Sequence, residues 1–174
     1  MTGAPTTPAG AGGGAGIRLS VAIPVYNEED GLAELLRRVG AVLDAVPGGP
    51  HEMVLVDDGS RDRTLAMLEE AAARDPRLVV VALSRNFGHQ AALTAAIDHV
   101  TGDATVLMDG DLQDAPEAIP LFLERFREGY DVVYARRVRR KEGPMLRLAY
   151  YVFYRFAARM ADTPLPVDAG DFGL

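Results

Sequence analysis

The chain has 174 residues, of which 48% are hydrophobic and 25% are charged, and this length suits a single domain with a sizeable core. The absence of cysteine excludes disulfides, thiolate zinc sites and a cysteine nucleophile. The formal net charge of -7 argues against general nucleic-acid binding, which requires a clustered positive surface.

The N-terminal residues predict a disordered tail. Residues 1–16 are mostly Gly, Ala, Pro and Thr, and they bury too little apolar surface to offset their ordering entropy. The single domain is expected over residues 17–174. No apolar run approaches the roughly 20 residues that span a bilayer, and the N-terminus lacks signal-peptide features. The chain as given is therefore expected to be soluble or peripheral.

Short apolar runs alternate with helical patterns from Leu19 onward. Buried strands are predicted at Leu19–Val25, Met53–Val56, Leu78–Leu83, Ala104–Met108 and Val132–Tyr134. The first intervening helix has one apolar stripe, made of Leu32, Leu35, Leu36, Val39, Val42, Leu43 and Val46. This alternation predicts an α/β fold with a mostly parallel open sheet and helices on both faces.

Polar segments follow the strands at their carboxyl ends. They are Tyr26-Asn27-Glu28, Asp57-Asp58-Gly59-Ser60, Ser84-Arg85-Asn86 and Asp109-Gly110-Asp111. Because those ends share one edge of an open α/β sheet, we expect these segments to converge on one ligand-binding crevice.

The segment from Asp109 to Asp114 has the oxygen ligands of a hard divalent cation. Asp109 and Asp111 are separated by one residue at a strand end, and Gln113 can add a carbonyl oxygen. A cation there would bridge a diphosphate. The alternative is an ordinary turn in which Asp114 caps the next helix.

The two earlier polar segments have a similar double interpretation. A carboxylate of Asp57 or Asp58 can accept hydrogen bonds from a nucleobase or ribose, and Tyr26 offers an aromatic face beside Glu28. Alternatively, these are helix starts in which Ser60 or Asp62, and Asn27 or Asp30, act as N-caps.

A basic cluster interrupts the otherwise acidic chain. Its members are Arg136, Arg137, Arg139, Arg140, Lys141 and Arg147, and they indicate either an anionic partner or a solvated loop. His51, His89 and His99 lack the spacing of a zinc site and receive no metal role.

An amphipathic helix is predicted over Met145–Met160, directly after this cluster. Arg147, Tyr151, Arg155 and Arg159 share one face, beside an apolar row of Leu148, Val152 and Phe156. The pattern suits either a lipid headgroup region or packing in the core with a solvated arginine face.

The ordered motifs together resemble those of family-two glycosyltransferases. They are Ile23-Pro24-Val25-Tyr26-Asn27-Glu28-Glu29, Val56-Asp57-Asp58-Gly59-Ser60, Ser84-Arg85-Asn86-Phe87-Gly88, Asp109-Gly110-Asp111-Leu112-Gln113-Asp114 and Gly170-Asp171-Phe172. More narrowly, the chain resembles the bacterial dolichol-phosphate-mannose-synthase-like group, which glycosylates polyprenyl phosphates. The similarity runs from about Arg18 to the last residue.

The resemblance implies a GT-A type fold and an inverting, metal-dependent transfer of sugar from a UDP- or GDP-linked donor to a polyprenyl phosphate. It places Pro24, Tyr26, Glu28, Asp57 and Asp109 at the donor, with Asp58 near the donor's ribose, and Asp109, Asp111 and Gln113 on Mg²⁺ or Mn²⁺. It further places Arg137 and Arg147 at the acceptor phosphate and Asp171, as the catalytic residue, beside the reacting centre, where the family's base is usually placed. The implied location is the cytoplasmic face of the cell membrane.

The chain departs from the family pattern at several positions. Gly110 replaces a common Ala, which we expect to be a harmless exchange, His89 stands where Lys is frequent, and Gly173 replaces a basic residue. Relatives usually continue into amphipathic segments and two transmembrane helices, so a C-terminally truncated enzyme is expected. The alternatives are a catalytically idle nucleotide-sugar-binding module and an enzyme that glycosylates a saccharide or protein hydroxyl.

Overall fold

Strands and helices alternate along the chain in a computed structural model that describes residues 16–136 and 169–174. The strands are β1 (Leu19–Val25), β2 (Glu52–Asp57), β3 (Leu78–Ala82), β4 (Ala104–Leu107), β5 (Tyr134–Arg136) and β6 (Ala169–Gly173). The helices are α1 (Leu32–Ala45), α2 (Thr64–Ala72), α3 (His89–His99) and α4 (Ile119–Arg127), the last preceded by a 3₁₀ turn at Pro116–Ala118.

The described strands form one six-stranded sheet in the order β3-β2-β1-β4-β6-β5. The pairs β2–β3, β1–β2 and β1–β4 are parallel, as predicted for this part of the chain. In contrast, β6 pairs antiparallel with both β4 and β5. The sheet is therefore mixed, with a parallel half that contains the first four strands.

Helices cover both faces of the sheet, which confirms the predicted layering. Alternate residues of β1 point to opposite faces. Val21 and Ile23 join a core with residues of α1, α2 and α4. Ala22 belongs to a second core, where Ala92 and Ala96 of α3 pack against β2. The predicted apolar stripe of α1 is buried or half-buried along its whole length.

The antiparallel half differs from the sequence prediction. The strand expected at Val132–Tyr134 begins at Tyr134, and Val132 is 72% exposed instead of buried. Among the described strands, this one lies at the edge of the sheet and pairs with β6 alone. The strand β6 was not predicted, because its two glycines and aspartate have weak intrinsic strand preference. Phe172 anchors β6 by an edge-on contact with Phe122 of α4, with 4.8 Å between ring centroids.

None of the helices in the described part of the chain combines the length and the hydropathy that crossing a bilayer requires. The predicted tail, except for Gly16, and the predicted helix over Met145–Met160 lie outside the described residues.

Candidate active site

A cavity of about 370 Å³ opens at the carboxyl ends of β1 and β4. The chain runs outward from β1 to β2 and β3 on one side, and β4 lies on the other side, so this is a switch point in strand order. The lining residues are Pro24, Val25, Tyr26, Glu28, Asp58, Asn86, Gly88, His89, Ala92, Asp109, Gly110 and Asp111. The structure thus brings together side chains that are up to 87 positions apart, from Pro24 to Asp111.

Most of the predicted donor and metal residues line this cavity, and two do not. Asp57 is buried next to Asp58 without forming part of the lining, and Gln113 is exposed outside it. Asn86 lines the cavity, as expected for the Ser84-Arg85-Asn86 segment, and Gly88 and His89 line it although no role there was predicted for them. The signal that could have identified them is their position directly after a strand of the parallel sheet.

The loop that carries Tyr26 and Glu28 is bonded to the loop before α2. The N–H of Asn27 donates to Ser60 Oγ over 2.9 Å, and Asn27 Oδ1 accepts the N–H of Arg61 over 2.8 Å. The N–H of Glu28 donates to Thr64 Oγ1 over 2.8 Å. These reciprocal bonds hold the backbone of Asn27 in a left-handed conformation, with φ of 54°. The cavity wall beside Tyr26 is therefore held by hydrogen bonds between backbone N–H groups and side-chain oxygens of the two segments.

The capping alternatives for these loops are mostly wrong. The N-cap of α1 is Gly31 and makes no side-chain cap bond, so neither Asn27 nor Asp30 serves there. Ser60 bonds across to the other loop, as described above. Asp62 comes nearest to the capping alternative, since its Oδ1 accepts the N–H of Thr64, the first residue of α2, over 2.9 Å.

The two aspartates at the end of β2 have different surroundings. Asp57 is 1% exposed; its Oδ2 accepts the N–H of Ser60 over 3.1 Å, and its Oδ1 is buried with no hydrogen-bond partner among the described residues. Asp58 is 3% exposed, and both its oxygens accept backbone N–H groups, from Phe87 over 2.7 Å and from Gly88 over 2.9 Å.

The Asp109–Asp114 segment folds into a closed loop. The N–H of Asp109 donates to Asp114 Oδ2 over 3.1 Å, and the N–H of Gln113 donates to Asp111 Oδ1 over 3.0 Å. Leu112 adopts a left-handed conformation with φ of 62°. The N-cap position of the following turn is Ala115 without a side-chain cap bond, so the alternative in which Asp114 caps the next helix is wrong.

Gly110 lies tightly against β1. A Cβ at this position would be 2.7 Å from Val25 Cγ1 and 3.1 Å from Pro24 O. An alanine here therefore requires a shift of the strand or of Val25.

The cavity is acidic. Among the described residues, its lining includes the carboxylates of Glu28, Asp58, Asp109 and Asp111 and one basic side chain, His89, whose Nε2 lies 3.6 Å from Asp109 Oδ1. Burial, followed by repulsion from Asp111 and Asp62, raises the pKa of Glu28. An anionic ligand would meet the same repulsion in this cavity unless positive charge accompanied it.

The residues predicted on the acceptor side are only partly described. Arg137 and Arg147 lie outside the described residues, whereas the backbone of Asp171 lies in β6. Gly173 pairs with Leu107 of β4 in antiparallel register. Strand β6 thus pairs with the last residue of β4, at the end of the sheet where the cavity opens.

The comparisons with known proteins agree with this architecture. The model of glycosyl transferase family 2 matches residues 20–174. An uncharacterized glycosyltransferase of Bacillus subtilis, YkcC, is 43% identical over 159 residues, which cover 91% of this chain and 49% of that protein. An undecaprenyl-phosphate 4-deoxy-4-formamido-L-arabinose transferase of Klebsiella pneumoniae is 42% identical over 157 residues, covering 90% of this chain and 46% of that protein. The chain thus spans about half the length of these two relatives.

A solved structure shows the same fold. The mannosyltransferase PcManGT of Pyrobaculum calidifontis, in complex with GDP-Man and Mn²⁺, superposes with a TM-score of 0.58 at 27% identity. The match covers 70% of this chain and 36% of PcManGT. This likeness and the sheet order confirm the GT-A type α/β fold, and the match of the family model over most of the chain shows that it belongs to glycosyl transferase family 2.

Proposed function

We propose that this chain transfers a sugar from a UDP- or GDP-linked donor to a polyprenyl phosphate, with inversion at the anomeric carbon. The observation that carries the proposal is the convergence of the Tyr26–Glu28 loop, the turn after β2 and the Asp109–Asp111 segment on one cavity at the switch point of the sheet. The similarity to a transferase named for undecaprenyl phosphate supports the acceptor class.

The nucleotide would occupy the end of the cavity formed by β1 and β2. Pro24 and Tyr26 offer an apolar and aromatic surface there, and Glu28 adds a carboxylate. Asp57 does not line the cavity and stays a prediction as a donor-binding residue; its buried Oδ1 has no hydrogen-bond partner among the described residues, which costs about 1–3 kcal/mol. A ligand N–H or O–H that reaches this oxygen would recover that free energy.

Asp109 and Asp111 fit a magnesium or manganese ion. Both side chains line the cavity and offer hard oxygen ligands. The described residues hold no group of three or more His, Asp or Glu side chains that could bind a metal on their own. Mg²⁺ commonly uses one or two carboxylates together with substrate phosphates, so these two aspartates suffice if the donor supplies the remaining ligands. Gln113 stays a prediction as a further ligand.

The cation would neutralise the negative charge that builds on the departing nucleotide diphosphate. The acceptor is the nucleophile: a phosphate oxygen bonds to the anomeric carbon while the bond from that carbon to the diphosphate oxygen breaks. A phosphate monoester has a second pKa of about 6 and is already largely dianionic at neutral pH. Asp171 would therefore mainly orient the acceptor or the cation, and Arg137 and Arg147 would hold the acceptor phosphate.

The proposal includes attachment to the cytoplasmic face of the cell membrane. The helix predicted over Met145–Met160 would lie at the lipid surface, where a lipid-linked phosphate is presented. The acidic cavity would then bind the nucleotide sugar together with its cation, and the basic cluster around Arg137 would bind the acceptor phosphate without a cation.

A transfer assay with three acceptors tests this function. The chain is incubated with UDP- and GDP-linked sugars, Mn²⁺ and either polyprenyl phosphate, the matching polyprenol or a soluble saccharide. We expect product with polyprenyl phosphate only, and loss of turnover in Asp111→Ala. Product with the saccharide alone would establish the hydroxyl-acceptor alternative, and nucleotide binding without any product would establish the idle module.

A further inference from the structure

Both oxygens of the Asp58 carboxylate accept backbone N–H groups from the loop between β3 and α3. We propose that Asp58 is a positioning residue that sets the loop between β3 and α3, and that it affects donor binding through this loop and not by contact with the ribose. The part of the proposal that concerns the donor rests on the function proposed above, whereas the part that concerns the loop does not.

The hydrogen bonds of Asp58 account for its burial. Its two oxygens accept the N–H groups of consecutive residues, Phe87 and Gly88, over 2.7 and 2.9 Å. Bonds from backbone N–H groups to an ionised carboxylate are stronger than neutral ones. With 3% exposure, the side chain has little surface left for a ligand.

Gly59, the next residue, packs closely against the backbone of the same loop. A Cβ at Gly59 would lie 2.4 Å from the carbonyl carbon of Arg85, and the φ of Gly59 is +68°. The loop thus meets the turn through the bonds of Asp58 on one side and the bare backbone of Gly59 on the other. The two contacts together fix where the loop lies.

The position of this loop determines one wall of the cavity. Asn86, Gly88 and His89 all line it, and Gly88 is the N-cap of α3. His89 Nε2 lies 3.6 Å from Asp109 Oδ1, at the end of the cavity proposed for the cation. Asp58 therefore connects the turn at the proposed nucleotide end to a side chain at the proposed cation end.

Amide hydrogen exchange tests the loop directly and needs no ligand. In Asp58→Asn, one of the two N–H groups faces an amide NH₂ and loses its acceptor. Since a hydrogen bond to a charged group contributes about 1.5–3 kcal/mol, exchange at Phe87 or Gly88 should accelerate about tenfold or more. The control is Asp103→Asn. Asp103 directly precedes β4, at the amino ends of the strands, and its carboxylate accepts the N–H of Arg18 over 2.8 Å. Unchanged exchange at Phe87 and Gly88 in Asp58→Asn would overturn the proposal.

Calorimetry with modified nucleotides separates the loop from a ribose contact. UDP and GDP are compared with their 2′-deoxy and 3′-deoxy forms in Mn²⁺, on the wild-type chain and on Asp58→Asn. If Asp58 acts through the loop, each deoxy form loses affinity by the same factor in both proteins, within about twofold, because independent effects add. A loss that disappears in the variant would show direct contact and overturn the proposal. If the wild-type chain binds neither UDP nor GDP, the proposed function fails and hydrogen exchange still decides the role of the loop.

A second variant covers the case in which Asp58→Asn does not fold. Gly59→Ala displaces the same loop and leaves the carboxylate of Asp58 in place. We expect faster exchange at Phe87 and Gly88 together with weaker UDP or GDP binding. Unchanged nucleotide affinity despite faster exchange would contradict an effect of the loop on the donor, and unchanged exchange would contradict the close contact itself.

Discussion

Gly110→Ala should destabilise the protein through a contact that the structure specifies. The new Cβ would lie 2.7 Å from Val25 Cγ1, whereas carbon atoms pack best at about 3.5–4.0 Å. The buried strand β1 or the new side chain must therefore shift by roughly 1 Å, and overpacking of this kind typically lowers the free energy of unfolding by about 1–3 kcal/mol. For a chain of this length, each kcal/mol lowers Tm by about 2–4 °C.

A double-mutant cycle identifies the contact responsible. Val25→Ala alone removes two buried carbons, which should lower the free energy of unfolding by about 1.6 kcal/mol. In Gly110→Ala/Val25→Ala the clash with Cγ1 is gone, so we expect the pair to be less destabilised than the sum of the single variants by about 1 kcal/mol. Urea unfolding followed by circular dichroism gives the free energies of unfolding.

Gly31→Ala is the matched control for this cycle. Its Cβ would lie 3.4 Å from Leu112 Cδ1, an ordinary contact, and its backbone is already in a helical conformation. Its stability should be unchanged or slightly raised. The close approach of position 110 to Val25 would be refuted if the effects of Gly110→Ala and Val25→Ala on the free energy of unfolding were additive. It would also be refuted if Gly110→Ala left the free energy of unfolding unchanged.

Three further predictions concern charge. Burial and repulsion from Asp111 raise the pKa of Glu28, so the folded protein holds this proton to higher pH than the unfolded chain does. The stability that this group contributes is therefore lost as the pH rises through the raised pKa. Glu28→Gln should have a higher Tm than the wild type at pH 7, and this difference in Tm should shrink at pH values below the ordinary carboxyl range. Asp171→Asn should retain measurable transfer to a phosphate acceptor with a flat pH profile, and complete loss with intact donor binding would instead support a general base. The chain should sediment with anionic vesicles and be released from them as the salt concentration rises. Changing Arg155 and Arg159 to Glu should abolish this co-sedimentation while the protein stays folded. If the wild-type chain does not bind the vesicles at low salt, the predicted helix has no part in membrane attachment.

The parallel half of the fold was predictable because its signals are local. Apolar runs such as Leu19–Val25 are interrupted by polar segments at each carboxyl end, and that alternation determines both the layering and the edge where ligands bind. The amphipathic stripe of α1 is equally local. The prediction that widely separated motifs meet therefore needed no knowledge of individual contacts.

The remaining features depend on contacts between distant residues. The strand β6 forms through pairing with β4 and the contact of Phe172 with Phe122, which a Gly-Asp-Phe-Gly sequence does not reveal. Likewise, Asn27 and Ser60 have side chains that suit a helix cap as well as a bond between loops, and the sequence alone cannot choose between these uses. The use of both oxygens of Asp58 by the loop after β3 is of the same kind.

Calorimetry of donor binding tests the proposed site most directly. UDP- and GDP-linked sugars are titrated into the wild-type chain and into Asp111→Asn, each in Mn²⁺ and in chelator. Because the cavity is lined by carboxylates, we expect measurable affinity for one of these donors in Mn²⁺ only, and a strong loss in the variant. Equal affinity in Mn²⁺ and in chelator would contradict a cation held by Asp109 and Asp111.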